Sequence, residues 1–192
     1  NSNFNLTGNL NDPIINLRFL SNNLNLSTSE FSDEDFFKKK VFNFNKAGVD
    51  LSYKKNLLII KESQFRSNGS EYLVEGKIHF PISSHLFDFK YPDYDLNIVS
   101  KNINLKELLS DTIQNMPIIK GILDTKLKLS GELDNLKLSG DFWAKRINYD
   151  IPKFGELEID KIDGKFEYSK KIWAFNVLSI TRGNSKIDIK GK

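Results

Sequence analysis

The residues able to do chemistry in this 192-residue chain are few and scattered. His79 and His85 are its only histidines, and it has no cysteine. His79 takes the wet parity of a strand whose apolar positions are Ile78, Phe80 and Ile82. Two isolated histidines without thiols do not supply the convergent ligands that zinc needs. Asp33, Glu34 and Asp35 lack the spaced oxygen ligands and the glycine of a calcium loop. The sequence has no phosphate-cradling glycine loop and no nucleophile elbow, and its glycines punctuate strands instead. No catalytic residue, metal or cofactor is expected. Charge excludes a further class. The 28 basic and 25 acidic residues nearly balance, at a net of +3, and the lysines mostly alternate with apolar residues. That pattern belongs to a solvated sheet face, whereas a nucleic-acid footprint clusters its cations.

With no catalytic constellation to position, the apolar pattern becomes the informative feature. Residues 131–149 carry apolar positions at every second place in short runs, with Leu127 and Leu129 ahead of them and Leu133, Leu136, Leu138 and Phe142 within. Gly131 and Gly140 break the runs, and Asp134-Asn135 makes a turn. Period-two alternation predicts strands with one apolar and one wet face. The same pattern stands earlier. Residues 8–19 align on 131–142 without a gap, and Leu24-Asn25-Leu26 falls on Ile147-Asn148-Tyr149. Residues 51–77 align on 166–192, placing Tyr53 on Tyr168, Tyr72 on Ile187 and Val74 on Ile189. Two ungapped matches in the same order predict a repeat of about 120 residues. The eight extra residues of the first copy are assigned to 27–43, where Ser32 and Asp35 can cap a helical turn and a solvated loop fits as well.

The chain is read as one elongated segment over 1–192. It holds two weak repeats, about 1–80 and 121–192, joined by a strand–helix connection at 81–120. The helix is placed near 105–114, where Leu105, Leu108, Leu109 and Ile113 have helical spacing and Pro117 lies just beyond. No apolar run approaches the ~20 residues of a membrane helix. The chain opens mid-pattern at Asn1 without a signal-like segment, so an internal fragment of a longer protein is expected. Absent cysteine fits an extracytoplasmic bacterial setting.

A dozen one-sided strands and a single short helix set a burial problem, because a sheet with an apolar face must cover it. A sandwich, a small filled barrel and an open trough all satisfy the alternation. The repeat and the regular, unprotected strand at residues 187–191 favour the extendable trough. Candidate lining residues are Leu127, Leu129, Leu133, Leu138, Phe142, Ile147, Leu157, Ile159, Phe166, Tyr168, Ile187 and Ile189. In a closed sandwich the same residues would fill an ordinary core.

Several of these stretches resemble a known family. Gly121-Ile122-Leu123, Leu127-Lys128-Leu129-Ser130-Gly131-Glu132-Leu133 and Leu138-Ser139-Gly140-Asp141-Phe142 look like the glycine-leucine strands of the TamB family. The Leu105-Lys106-Glu107-Leu108-Leu109 helix just before them resembles that family too, as do the Gly164-Lys165-Phe166 and Ile187-Asp188-Ile189-Lys190-Gly191 strands after. TamB belongs to the AsmA-like, bridge-like lipid transfer proteins. The resemblance covers most of 1–26 and 94–192; Asp12-Pro13 fits its turn pattern and Asn135-Leu136 departs from it. It implies an all-β fold, an elongated curved sheet forming an open taco-like groove with an apolar interior. It also implies a periplasmic, inner-membrane-anchored protein of the bacterial cell envelope, with phospholipid acyl chains as cargo and an outer-membrane barrel protein of the TamA type as partner. The other readings are a structural or adhesive β-sandwich module of a cell-surface protein, and a soluble ligand carrier with a closed pocket.

Overall fold

The computed structural model describes residues 2–9, 12–27, 41–81, 92–110, 119–151, 155–170 and 172–191. The chain is all-β with one short helix. Eleven strands form one antiparallel sheet in the order β1-β2-β5-β6-β7-β8-β9-β10-β11-β12-β13, and β3 and β4 pair separately. Apart from that hairpin, every strand lies beside its sequence neighbour. The sheet does not close, since β1 and β13 stand at its two edges.

The first strands are β1 (Ser2–Asn9), β2 (Asp12–Ser21), β3 (Leu24–Ser27), β4 (Val41–Phe44), β5 (Lys46–Lys54), β6 (Leu57–Ser67) and β7 (Ser70–His79). β8 (Asp93–Asn104) follows, then α1 (Leu105–Ser110), β9 (Ile119–Glu132), β10 (Lys137–Ile151), β11 (Gly155–Ser169), β12 (Ile172–Arg182) and β13 (Ser185–Gly191). Tight turns explain the hairpins. Lys55 and Asn56 take φ of 50° and 61°, and Asn68 and Gly69 take 47° and 86°. Two successive residues at positive φ match the twist of the strands they join. A 3₁₀ turn, Leu133–Asn135, joins β9 to β10.

The helix begins where Asn104 caps it: its Oδ1 accepts a hydrogen bond from the Lys106 N–H at 3.0 Å. Of the span expected over 105–114, α1 covers Leu105–Ser110. Residues 111–118 lie outside the described residues, as do His85 and the Ser32–Asp35 cap. Residues 41–43, the end of the 27–43 stretch read as loop or helical turn, belong to β4. The reason lies in tertiary pairing, since Leu24 opposes Phe44 and Asn25 opposes Asn43.

The pairing register repeats along the sheet. Leu6 opposes Ile15, and 123 residues on Leu129 opposes Leu138. Leu17 opposes Leu51 as Gly140 opposes Phe166, and Tyr53 opposes Leu58 as Tyr168 opposes Trp173. Ser63 opposes Val74 as Leu178 opposes Ile189, 115 residues on, and the register slips at the same place in both pairs. β6 and β12 even share their bounds at that offset. The hairpin β3–β4 takes part too, because Leu24 opposes Phe44 as Ile147 opposes Ile159. Thus β1-β2-β5-β6-β7 and β9 to β13 are two five-strand sets with one pairing scheme, and β8 stands between them.

Candidate functional site

Residues directly opposite one another in an antiparallel pair share a face of the sheet. Following the register from β1 to β13 therefore sorts every side chain. One face carries Phe4 and Leu6 on β1, then Ile15 and Leu17, Leu51 and Tyr53, Leu58 and Ile60, and Tyr72 and Val74. It continues through Leu96 and Ile98 on β8 to Leu127 and Leu129 on β9. Beyond these lie Leu138 and Phe142, Phe166 and Tyr168, Trp173 and Phe175, and finally Ile187 and Ile189. This face is apolar from edge to edge, relieved by small residues and by the buried Ser100–Thr125 hydroxyl pair.

The opposite face is charged. Its ion pairs include Arg66–Glu71 at 3.0 Å, Lys128–Asp95 at 3.2 Å, Lys161–Asp163 at 2.6 Å and Lys165–Asp141 at 3.4 Å. Exposed pairs of this kind stabilise little each, but they keep that face wet. His79 lies on it opposite Asp93, at the parity the sequence predicted.

The structure brings together on the apolar face every predicted lining residue that lies on a strand; Leu133 falls in the 3₁₀ turn beyond the end of β9. Ile147 is 4% exposed. Leu127, Leu129, Leu138, Phe142, Leu157, Ile159, Phe166 and Tyr168 are half-buried. Ile187 and Ile189, on the edge strand, are 60% and 47% exposed. Rings bridge the strands. Phe142 lies 6.3 Å from Phe166, which lies 5.5 Å from Trp173, which lies 4.8 Å from Tyr168. Gly164 makes this possible: a Cβ there would sit 2.9 Å from the Phe142 ring, which occupies the space instead.

The first set's half of the face was missed as lining, although the aligned pattern that placed Tyr53 on Tyr168 contained it. Ile162, Leu178 and Ile180 were missed for another reason. Register shifts on β12 and a positive φ at Arg146, 54°, switch the parity partway along the strands. Alternation read from one end then points to the wrong face.

Among the described residues no second layer covers the apolar face. The substantial contacts between elements join hydrogen-bonded neighbours, with α1 against β8 and β9 and β4 against β6 as the exceptions. The chain exposes 14102 Å², where a compact monomer of this length exposes about 9,300 Å². Two cavities, of about 290 and 250 Å³, do not mark the apolar face as a pocket. The larger is lined by outer-face residues such as Arg18, Lys46 and Gln64. An uncovered face encloses no volume, so its absence there is physically consistent. Among the described residues no cluster of three metal-ligating side chains occurs, and no helix is long and apolar enough to cross a membrane. No protein-family model, curated protein or solved structure matches the chain.

Proposed function

We propose that the chain is a segment of a TamB-like envelope protein. In this reading the apolar face curls into an open trough that conducts phospholipid between the inner and outer membranes, with no catalysis. The observation that carries this reading is an apolar face continuous over eleven strands, on which no layer of the described residues packs. An apolar surface of that extent on a water-exposed protein marks a binding surface. Register shifts support curvature. They fall on several strand pairs, between Ser100 and Ile103, Lys145 and Asn148, and Phe175 and Leu178. Such bulges bend and twist a sheet.

The energetics suit conduction. A buried methylene gains ~0.8 kcal/mol, so a long acyl chain gains on the order of 10 kcal/mol. Because each strand pair offers similar apolar side chains, that gain varies little along the trough and a tail meets no deep trap. Headgroups stay at the open seam. Placement in the periplasm, and a barrel partner of the TamA type, belong to the same proposal and rest on the sequence resemblance.

The test is mass spectrometry of lipids extracted from the purified chain. Co-purifying phospholipid is expected, and Leu129→Glu is expected to remove it while the far-ultraviolet β signal persists. A lipid-free wild-type chain that also fails to take up phospholipid from vesicles would return the chain to the structural or adhesive reading.

A further inference from the structure

We infer that tyrosines at the strand ends of the apolar face hold the ester region of a glycerophospholipid, and that two turn lysines take its phosphate. This rests on the lipid-binding reading above and names the polar half of that cargo. The chain has six tyrosines, of which Tyr91 lies outside the described residues. Tyr53, Tyr72, Tyr94, Tyr149 and Tyr168 each fall among the first or last three residues of a strand. All five belong to the apolar face. Tyr53 and Tyr94 share one cross-strand row through Leu58 and Ile78. Tyr72 opposes Phe65, Tyr149 opposes Leu157 and Tyr168 opposes Leu138.

The strand ends form the rims of the open seam, so these rings trace both rims. Tyr72 opposes Ser100, six residues along β8 from Tyr94, which sets the two rims about 20 Å apart there. Between them β8 presents Leu96 and Ile98 to the face. A tyrosine has an apolar body and a polar tip, and it settles where greasy and wet surroundings meet. The two rows therefore mark the depth at which a bound lipid passes from tail to ester.

Tyr53 shows which way such a hydroxyl reaches. It donates to Asn56 Oδ1 at 3.2 Å, in the turn beyond β5. The residue aligned with Asn56 in the second set is Lys171, and an ammonium accepts no hydrogen bond. There the Tyr168 hydroxyl donates to an ester carbonyl oxygen instead. Burial pushes the Tyr94 phenol above its ordinary value, so it too is a donor at neutral pH. The phosphate lies next along the lipid. Lys55 and Lys170, one repeat apart, follow Tyr53 and Tyr168 by two residues on the same rim. Both are exposed, and both take a φ of 50°, a conformation uncommon outside glycine, asparagine and aspartate. The two copies thus keep one cation at one strained place, where it meets the phosphate.

The test offers the purified chain equal amounts of three lipids in dodecyl maltoside micelles: dioleoylphosphatidylglycerol, its dioleyl ether analogue and dioleoylglycerol. Lipid retained after gel filtration is measured by mass spectrometry. The ester phospholipid is expected to exceed the ether analogue about fivefold, the weight of one net hydrogen bond, and to exceed dioleoylglycerol several-fold. Tyr72→Phe, Tyr94→Phe, Tyr149→Phe and Tyr168→Phe together keep the rings. They are expected to remove the ester preference while retention of the ether analogue is unchanged. Lys55→Gln with Lys170→Gln is expected to remove the preference over dioleoylglycerol. Equal retention of ester and ether by the wild-type chain overturns the inference and leaves lipid conduction standing, as does an ester preference that survives the four substitutions. Retention of no lipid overturns both. Should circular dichroism show the fourfold variant unfolded, Tyr94→Phe and Tyr149→Phe singly carry the same comparison, and an ester preference unchanged in both overturns the inference.

Discussion

The two five-strand sets share a pairing scheme and fill it differently. Where the first set places Leu17 opposite Leu51, the second places Gly140 opposite Phe166. Where the first has Ser63 beside its bulge, the second has Leu178. In the first set the β3–β4 hairpin is split from the main sheet, and Phe44 meets Phe65 at 5.1 Å and Tyr72 at 6.1 Å. In the second the equivalent residues are continuous extensions of β10 and β11. The difference teaches that backbone register is the quantity held in common. Any side chain that keeps the face apolar is accommodated, provided its neighbours across the strands give it room.

Exchanging residues between the sets breaks this comparison most sharply at Gly140. A Cβ there would approach the Lys126 carbonyl oxygen to 2.3 Å, and backbone does not yield as a side chain does. Gly140→Leu, the residue of the first set, should destabilise the chain by about 3 kcal/mol or more, read as a fall in the urea midpoint. An unchanged midpoint would show that the second set tolerates the first set's filling. Next is Ile147→Ala, expected to cost about 2–3 kcal/mol because the side chain is 4% exposed. Leu24→Ala at the equivalent, half-buried place should cost less than half as much in the same assay; equal losses would mean that the split hairpin is packed as firmly as the continuous one.

A smaller effect of opposite sign is expected at Ser63. The residue is 2% exposed, and among the described residues its hydroxyl has no hydrogen-bond partner. Ser63→Ala should stabilise by about 1 kcal/mol, seen as a higher thermal midpoint; a loss would mean the hydroxyl is satisfied in solution. The smallest effect concerns pH. Ser179, directly across the strand pair, and then Lys186, whose ammonium is 3.1 Å away, hold the Asp188 carboxyl below its ordinary value; of the two, the Lys186 contact has full bonding geometry, and the Ser179 hydroxyl makes no complete hydrogen bond among the described residues. A lowered pKa stabilises the folded form above the ordinary carboxylate range, and that contribution is lost as pH falls through the lowered value. Protection of the β13 amides, referred to the intrinsic exchange rate at each pH, should therefore fall on acidification, and Asp188→Asn should remove the change. The equivalent residue of β7 is Leu73, which does not titrate, so acid should leave β7 unaffected by this route.

Much of this was legible in residue types alone. Strand spacing, the Lys55-Asn56 and Asn68-Gly69 turns, the short helix after Asn104 and both repeat offsets follow from period-two alternation and turn chemistry, which are local. That the second set's alternating apolar residues share a face was legible for the same reason. Its extension into the first set needed the alignment, and the parity switches near Arg146 and along β12 needed coordinates. A bulge is set by how two strands fit together, and no single-strand pattern encodes it.

By itself, then, the order of residues determined that every strand has one greasy and one wet side, because alternation is a property of each segment alone. Only the tertiary structure decided that those sides join into one face across eleven strands, that no layer of the described residues lies upon it, and that residue 133 falls in a turn and not on a strand. The physical reason is that sandwich, barrel and open sheet require the same alternation. They differ solely in which strands meet, and that is settled by long-range pairing.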